Sequence, residues 1–304
     1  MNKEQVRRSL WAHAAAMGGA VVFDEPLAKY NTFFAGGTAF SVYSPSCGVE
    51  LGSLVAYLIG NGIQYMVIGK GSNLLFKDIY YDKVFILLEH ENFKRMTVSG
   101  KILISGAGAK LSSLITFSAK NGLSGFEGLA GIPGTLGGAL INNASNKCAV
   151  SENLLSVKVI NRDGAVEVIQ KEKAEFSYRR SSLRETIILE AEFLMESKLS
   201  SEIRERIKMT FIEKLLKQPL EERTLGCVFK NPAGNFLPAG KLLENAGLKG
   251  ARVGGALISG KHANFIVNSG GASSDDVARL MGVAGDKVFK MFGVELEPEI
   301  EIIG

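Results

Sequence analysis

Apolar residues recur along this chain with two different spacings, one helical and one extended. The helical spacing predicts helices over 1–20, 51–61, 111–121, 200–217, 239–246 and 274–292. Short apolar or alternating runs between them predict strands over 39–43, 65–68, 84–88, 101–105, 155–160, 165–169, 186–196 and 295–303. Strand–helix–strand alternation near the start of the chain is typical of α/β units, and the middle of the chain is richer in strands.

Two of these elements carry additional local signals. We expect helix 1–20 to be amphipathic, with Leu10, Trp11 and Met17 packed against the body of the protein. The strands within 155–169 flank a turn that contains asparagine and glycine, which predicts a hairpin. No apolar run reaches the roughly 18 residues that a membrane-spanning helix needs, so none is expected.

The glycine-rich stretch 128–143 is the strongest local feature of the sequence. A helix is not expected there, because glycine in a helix interior costs about 1 kcal/mol relative to alanine. A flexible linker is not expected either, because Leu129, Ile132 and Leu136 are apolar and favour burial. Such a backbone suits close approach to a phosphate or a flat ring, and a tight turn packed inside a core is the alternative.

Two further apolar runs end in glycine-rich turns. They are 67–75, with the sequence Gly69-Lys70-Gly71-Ser72-Asn73, and 103–109, with the sequence Gly106-Ala107-Gly108-Ala109. Neither matches a Walker phosphate loop or the dinucleotide fingerprint that opens a helix. Three such loops close together in the sequence favour one elongated anionic ligand held by several loops.

Composition restricts the class of protein further. The 304 residues include 35 basic and 31 acidic side chains, and this net charge of +4 is too small for a nucleic-acid-binding surface. Cys47, Cys148 and Cys227 form no CxxC pair, and the chain has only 3 histidines. Neither a disulfide framework nor a metal centre is expected, and this cysteine usage fits a reducing cytosol. The length is typical of two domains.

Nine motifs, in order along the chain, resemble those of a known family. They are NTFFAGG, IGKGSNLL, GAGA, GLAGIPGTLGGA, YRRS, GCVFKNP, AGKLLENAGLKG, GGALISGKHANFIVN and LEPEIEIIG. Together they resemble the UDP-N-acetylenolpyruvoylglucosamine reductases (the MurB family), in the shorter type without an inserted tyrosine-bearing loop. The resemblance implies an α+β fold. An FAD-binding domain of the vanillyl-alcohol-oxidase (PCMH) type is expected over 1–200, with subdomains 1–70 and 71–200, and a substrate-binding domain over 201–304.

The resemblance also implies the cofactors and the reaction. NADPH would reduce non-covalent FAD, and the enolpyruvyl group of a UDP-sugar would then be reduced to give UDP-N-acetylmuramate for peptidoglycan synthesis. The diphosphate of FAD would be the anion expected at the glycine loops, which contain no histidine to bind flavin covalently. The implied cofactor-binding residues are Gly69, Lys70, Gly71, Ser72, Asn73, Leu74, Gly108, Gly131, Ile132, Pro133, Gly134, Gly137, Gly138, Ala139 and Asn143.

Three residues match catalytic positions of the family. Arg179, in Tyr178-Arg179-Arg180-Ser181, is implied to stabilise the negative charge that develops beside the substrate carboxylate. Glu299, after Pro298, is implied to share the hydrogen bonding of the enol oxygens. A surface charge is the alternative for Arg179, and a solvated strand face is the alternative for the acidic C-terminal segment.

Cys227 occupies the position at which the family commonly has a serine that donates a proton. A thiol with an ordinary pKa of about 8.5 is a much better acid than an alcohol and is mostly protonated near neutral pH. We therefore expect Cys227 to act as the general acid, and a small buried apolar cysteine is the alternative. A second departure is in 142–148, where Ser145 and Cys148 replace glycines of the family, so the local backbone there is in question.

The resemblance further implies substrate-binding residues and a cellular setting. Lys217 matches a lysine that contacts the substrate diphosphate, and the end of a solvated basic helix is its alternative. The remaining implied contacts are Tyr178, Lys230, Asn231 and Glu244. We expect a cytoplasmic monomer that binds no nucleic acid and no membrane.

Two other functions stay open from the sequence. One is a different flavin oxidoreductase of the same fold, which would need a general base near the flavin. The other is a non-catalytic FAD-binding protein, because the Ser-to-Cys change and the altered 142–148 segment affect the chemistry. Turnover of NADPH that depends on the UDP-sugar distinguishes these possibilities. His262 is expected to hold a turn by hydrogen bonds and to take no part in the chemistry.

Overall fold

The computed structural model describes residues 2–234 and 236–304, and these form two compact units. The first unit contains the chain up to Glu25 together with Ala39–Gly69 and Asp82–Ile212. The second contains Pro26–Thr38, Lys70–Tyr81 and Glu213–Gly304. The units therefore interleave along the sequence, and the domain division at residue 200 stays a prediction.

Helices and strands follow one another along the chain as the mixed spacing predicts. The α-helices in the described residues are α1 (Lys3–Met17), α2 (Gly48–Gly60), α3 (Leu111–Lys120), α4 (Leu136–Ile141), α5 (Ser200–Lys217), α6 (Ala239–Asn245) and α7 (Ser274–Phe292). The strands are β1 (Ala20–Pro26), β2 (Thr38–Ser44), β3 (Tyr65–Ile68), β4 (Leu74–Phe76), β5 (Tyr80–Leu87), β6 (Met96–Ser99), β7 (Ile102–Gly106), β8 (Leu123–Ser124), β9 (Leu154–Ile160), β10 (Val166–Gln170), β11 (Ile187–Leu194), β12 (Glu196–Ser197), β13 (Thr224–Cys227), β14 (Arg252–Val253), β15 (Ala256–Ile258), β16 (Phe265–Asn268) and β17 (Glu301–Ile303).

The first unit is built around two larger sheets. One has the strand order β1-β2-β5-β3, in which β3 and β5 are parallel, and the other has the order β10-β9-β11-β7-β6. The predicted hairpin is confirmed, because β9 and β10 pair in antiparallel register across a turn that ends at Gly164 with φ 82°. Apolar side chains of α2, α3 and both sheets form one buried core. The glycine loops are attached to these strand and helix ends.

The second unit has a sheet of order β13-β16-β15-β14 and a separate parallel pair of β4 with β17. Helix α7 begins in a capping box, where Ser273 accepts from the amide of Asp276 at 3.0 Å. Its apolar face, with Val277, Leu280 and Ala284, is buried with α6. Helix α7 spans the predicted residues 274–292 in full, whereas strand β17 covers only 301–303 of the predicted strand 295–303.

Helix α1 corrects one prediction about packing. Leu10 is buried, but Trp11 is 64% exposed and Met17 is only half-buried, so the expected contact of Trp11 with the body is wrong. The buried face consists of Val6, Leu10 and Ala14, which follow one another at intervals of four residues. Trp11 is one position away from this face, which directs it to solvent. None of the helices among the described residues combines the length and apolar character needed to traverse a bilayer.

Candidate active site

Parts of all three predicted glycine loops contact one another within the first unit. Gly69, which follows β3, lies so close to Thr135 that a Cβ would overlap the threonine Oγ1. Gly137 donates its amide to the carbonyl of Ala107 at 2.8 Å, and a Cβ on Gly137 would lie 3.2 Å from the Ala107 Cβ. A side chain at position 69 would displace Thr135, and one at position 137 would force Ala107 to shift slightly, so glycine suits both contacts.

Part of the stretch 128–143 is helical, which corrects the expectation of a continuous loop. Gly131 and Gly134 have φ of 77° and 140° and form the irregular first part. Helix α4 then begins after Thr135, whose hydroxyl accepts from the amide of Gly138 at 3.4 Å. Burial of Leu136 offsets the helix penalty of the two adjacent glycines, so tertiary packing overrides local propensity.

The Arg179 turn follows from backbone bonds between Ser177 and Arg180. The amide of Ser177 donates to the carbonyl of Arg180 at 3.0 Å, and Arg179 between them has a left-handed φ of 57°. Its half-buried side chain donates through Nη1 to Oγ of Ser145 at 2.7 Å. The guanidinium carbon also lies 5.2 Å from the ring centre of Tyr178, which is 52% exposed. The side chains of Tyr178, a predicted substrate residue, and Arg179, a predicted catalytic residue, therefore contact each other in this unit.

Asn143 connects the end of the glycine stretch to this turn. It has a left-handed φ of 43° and is 9% exposed. Its Nδ2 donates to the carbonyl of Ser177 at 2.9 Å, and its Oδ1 accepts from Ser151 Oγ at 2.8 Å. The sequence predicts a cofactor contact for Asn143 but does not predict these two hydrogen bonds. The one available signal was the unusual composition of 142–148.

The two departures from the family, Ser145 and Cys148, have different surroundings. Ser145 binds Arg179, as described above, and pairs with Ala149 in an isolated bridge. The thiol of Cys148 packs against Gly128, where a Cβ would lie 2.6 Å from Sγ. Burial raises the pKa of Cys148 to about 11, so this thiol stays protonated at neutral pH. The backbone of 142–148, which the sequence left in question, thus forms a compact, hydrogen-bonded turn.

In the second unit the C-terminal segment brings Glu299 beside the end of β13. The amide of Glu299 donates to the carbonyl of Val228 at 2.8 Å, next to Cys227, and Phe229 pairs with Pro298 in an isolated bridge. Cys227 and Glu299 are both half-buried. Two predicted catalytic residues are therefore neighbours because of backbone pairing between distant segments.

The second half of the first glycine loop lies in the same unit as Glu299. Nδ2 of Asn73 donates to the carbonyl of Glu299 at 3.0 Å, and the amide of Glu301 donates to the carbonyl of Asn73 at 2.9 Å. Gly71 has φ 61° and passes so close to Asn31 that a Cβ would lie 2.7 Å from its Cα. The structure thus joins a predicted cofactor residue to a predicted catalytic one.

The predicted substrate residues of the second unit make contacts within the protein. Lys230 forms an ion pair with Glu297, and Oδ1 of Asn231 accepts from the amide of Ala239 at 3.1 Å. Lys217 pairs with Glu213 at 2.8 Å in the last turns of α5. This ion pair is compatible with both interpretations of Lys217, a substrate contact and the end of a solvated basic helix.

Glu244 and His262 have electrostatic surroundings that shift their pKa. The hydrogen bond from Lys249 at 2.6 Å, together with Lys241, lowers the pKa of Glu244, so it is ionised at neutral pH. Burial lowers the pKa of His262, whose Nδ1 accepts from the amide of Asn264 at 3.2 Å. His262 holds a turn by hydrogen bonds, as expected.

Two family models match this chain. The FAD binding domain matches residues 42–170, and the UDP-N-acetylenolpyruvoylglucosamine reductase C-terminal domain matches residues 218–303. These matches confirm the expected fold class, an FAD-binding domain followed by a C-terminal domain of this kind.

Full-length relatives carry the same name. A UDP-N-acetylenolpyruvoylglucosamine reductase of Carboxydothermus hydrogenoformans is 36% identical over 100% of both chains. That of Clostridium botulinum strain Okra is 37% identical over 93% of this chain and 92% of the relative. The crystal structure of the Thermus caldophilus enzyme has a TM-score of 0.80 and 34% identity, covering 94% of this chain and 99% of that one. The chain therefore belongs to the UDP-N-acetylenolpyruvoylglucosamine reductase family.

Proposed function

We propose that Arg179, Cys227 and Glu299 carry the chemistry of this chain, which is an FAD- and NADPH-dependent reductase of peptidoglycan precursor synthesis. Its substrate is UDP-N-acetylglucosamine enolpyruvate and its product is UDP-N-acetylmuramate. The observation that carries the assignment of roles is the bond from the Glu299 amide to Val228. That bond supports the assignment because it brings the Glu299 backbone to Val228, the residue after Cys227.

The glycine loops of the chain fit FAD. Their segments 69–73, 106–109 and 128–143 contain no acidic side chain, and Lys70 adds a positive charge. In the first unit the loops contact one another at Gly69, Thr135 and Gly137, which supports the binding of one ligand by several loops. Neutral backbone and hydroxyl groups of this kind suit a diphosphate. We propose that these loops hold FAD through the cofactor residues named from the sequence.

Arg179 has the charge that the reaction requires. Bound FAD supplies the transfer of hydride from NADPH to the enolpyruvyl group, which leaves a negative charge delocalised beside the substrate carboxylate. A guanidinium is always protonated and binds a carboxylate with a planar pair of donors. Arg179 is half-buried, so water screens its charge less than that of a fully exposed arginine. We therefore assign to it the binding of the carboxylate and the stabilisation of the developing charge.

Cys227 and Glu299 complete the assignment. The Cys227 thiol delivers a proton to the carbon next to the carboxylate, and the resulting thiolate is reprotonated from water. Such general acid catalysis contributes about 10²–10⁴-fold. The Glu299 carboxylate contributes to the hydrogen bonding of the enol oxygens. Because the Glu299 backbone is bound to both Val228 and Asn73, the position of this side chain is tied to β13 and to the glycine loop.

The remaining roles are proposed for substrate binding. Tyr178, next to Arg179, presents a largely exposed aromatic face, and Lys217 offers a point charge to the UDP diphosphate. Lys230, Asn231 and Glu244 are proposed as further contacts. The cysteine usage and the nucleotide substrate support a cytoplasmic location. We propose a monomer, which light scattering behind size-exclusion chromatography checks.

An anaerobic titration of the purified protein tests the function. The flavin absorbance is expected to bleach on addition of NADPH and to return on addition of UDP-N-acetylglucosamine enolpyruvate. Bleaching without return would indicate a flavin oxidoreductase with another substrate. A flavin spectrum that NADPH does not change would indicate a non-catalytic FAD-binding protein. Absence of bound flavin would contradict the assignment of the glycine loops.

A further inference from the structure

Ser145 lies directly against the guanidinium of Arg179 in the first unit. Nη1 of Arg179 donates to Oγ of Ser145 at 2.7 Å and to the Ser145 carbonyl at 3.3 Å. The shorter distance is typical of a charge-assisted hydrogen bond. Both contacts involve the same nitrogen, so Ser145 binds that end of the guanidinium with two acceptor atoms.

Ser145 gives the Arg179 side chain a hydrogen-bond partner outside the turn of Arg179. The Arg179 backbone has φ 57°, a region that residues other than glycine, asparagine and aspartate rarely adopt. The bond between Ser177 and Arg180 holds the main chain of the turn but does not orient the guanidinium. An arginine side chain has many rotamers, and ordering them costs conformational entropy when a ligand binds. An anchor present before binding removes part of that cost.

Ser145 is itself held in place by the glycine stretch. It pairs with Ala149 in an isolated bridge, and the side chain of the next residue, Asn146, donates to the carbonyl of Gly128 at 3.1 Å. The amide of Asn146 also donates to the carbonyl of Cys148 at 3.1 Å. These contacts hold the backbone that carries the Ser145 hydroxyl, and they connect the start of the glycine stretch to the partner of Arg179.

The chemical type of this acceptor matters for the reaction. A serine hydroxyl is neutral, so it orients the guanidinium without cancelling its positive charge, as a carboxylate partner would do. A glycine at position 145 would keep the carbonyl contact at 3.3 Å but would lack the hydroxyl contact at 2.7 Å. The serine in this chain thus adds an interaction that the glycine of the family pattern cannot make.

We propose that Ser145 is a positioning residue that orients Arg179 toward the carboxylate of the substrate. This inference rests on the role proposed for Arg179 above. It predicts an effect that is confined to ligands with that carboxylate. Loss of the hydroxyl should therefore change carboxylate recognition while leaving the nucleotide part of the substrate unaffected.

Calorimetric titration of the oxidised holoenzyme tests this selectivity. The two ligands are UDP-N-acetylglucosamine enolpyruvate and UDP-N-acetylglucosamine, which lacks the carboxylate. Ser145→Ala is expected to weaken binding of the first about tenfold and of the second less than about twofold, in line with a hydrogen bond to a charged group. Ser145→Thr, which keeps an acceptor hydroxyl, should restore most of the affinity.

Ser182→Ala is the matched control. Its exposed hydroxyl donates to the carbonyl of Lys173 at 3.3 Å and belongs to the segment that follows the Arg179 turn. It should leave both affinities unchanged. Stopped-flow absorbance adds a kinetic measurement, because Ser145→Ala should slow flavin reoxidation by the substrate and leave flavin reduction by NADPH unchanged. In an Arg179→Ala background, Ser145→Ala should have no further effect.

The outcomes separate this inference from the proposed function. Equal weakening of both ligands by Ser145→Ala, or weakening of neither, would overturn the positioning role. The same holds if the effects of Ser145→Ala and Arg179→Ala are additive. Failure of the wild-type protein to bind the enolpyruvyl ligand or to be reoxidised by it would instead refute the proposed function.

Discussion

Replacement of Asn143 by alanine tests how the glycine stretch is attached to the Arg179 turn. The Asn143 side chain makes two hydrogen bonds, to the Ser177 carbonyl at 2.9 Å and from the Ser151 hydroxyl at 2.8 Å. Its backbone has φ 43°, which asparagine tolerates better than alanine. The substitution therefore removes two links and introduces backbone strain at the same position.

The structure gives the size of the expected loss. Each hydrogen bond contributes about 1 kcal/mol, and the Ser151 hydroxyl loses its Asn143 partner at a site that is only 6% exposed. A left-handed alanine adds about 1 kcal/mol of strain. Asn143→Ala should thus lower the free energy of unfolding by about 3 kcal/mol. Asn143→Gly loses both bonds but tolerates the backbone, so its loss should be about 1 kcal/mol smaller.

Urea unfolding followed by circular dichroism measures the loss, and amide hydrogen exchange locates it. A loss of about 3 kcal/mol should lower the urea midpoint by about 1 M or more. Exchange should accelerate in 139–151 and around Ser177. Asn61→Ala is the control, because Asn61 is exposed and donates one bond to Tyr57 at 2.8 Å. An unchanged midpoint for Asn143→Ala, or an equal loss for alanine and glycine, would refute the reasoning.

Three further predictions concern the site and the second unit. Cys227→Ala should slow flavin reoxidation by the substrate about 10²-fold or more, and Cys227→Ser should slow it by less than about tenfold. Stopped-flow absorbance measures both rates, and wild-type rates in both variants would exclude the general-acid role. Gly69→Ala should weaken FAD binding and lower the free energy of unfolding by about 1–3 kcal/mol, because the new Cβ displaces Thr135. An unchanged FAD affinity in a fluorescence titration would argue against contact of this loop with FAD. Burial lowers the pKa of His262 below its ordinary value of 6.5, so the unfolded state binds the extra proton and stability should fall as pH decreases below 6.5. His262→Gln should flatten this dependence in urea melts between pH 7 and pH 5.

Features that depend on local sequence could be predicted well. Helices α5 and α7 and the hairpin of β9 and β10 match their predicted ranges closely, because period, caps and turn residues lie within each segment. The pairing of β4 with β17 could not be predicted, because its two strands are far apart in the sequence. The predicted burial of Trp11 was wrong, because helical spacing alone does not identify which face of α1 the protein buries.

In the candidate site, too, local features could be predicted from the sequence and tertiary contacts could not. The glycine content of the three loops predicted that they contact a ligand, but their packing through Gly69 and Thr135 depends on tertiary structure. Helix α4 shows that burial outweighs the penalty of adjacent glycines. The contacts of Asn143 with Ser177 and of Ser145 with Arg179 join positions 34 residues apart, so no periodicity or local motif encodes them.

The parallel pair of β4 and β17 has a consequence for the order in which the protein can fold during synthesis. Residues 74–76 leave the ribosome well before their partners, 301–303, are translated. Closing so long a segment carries an entropic cost that increases with the logarithm of its length. The residues of the first unit end at Ile212, so that unit can form while the rest is being made. The loop around Asn73, which is bound by Glu299 and Glu301, must wait for translation of β17.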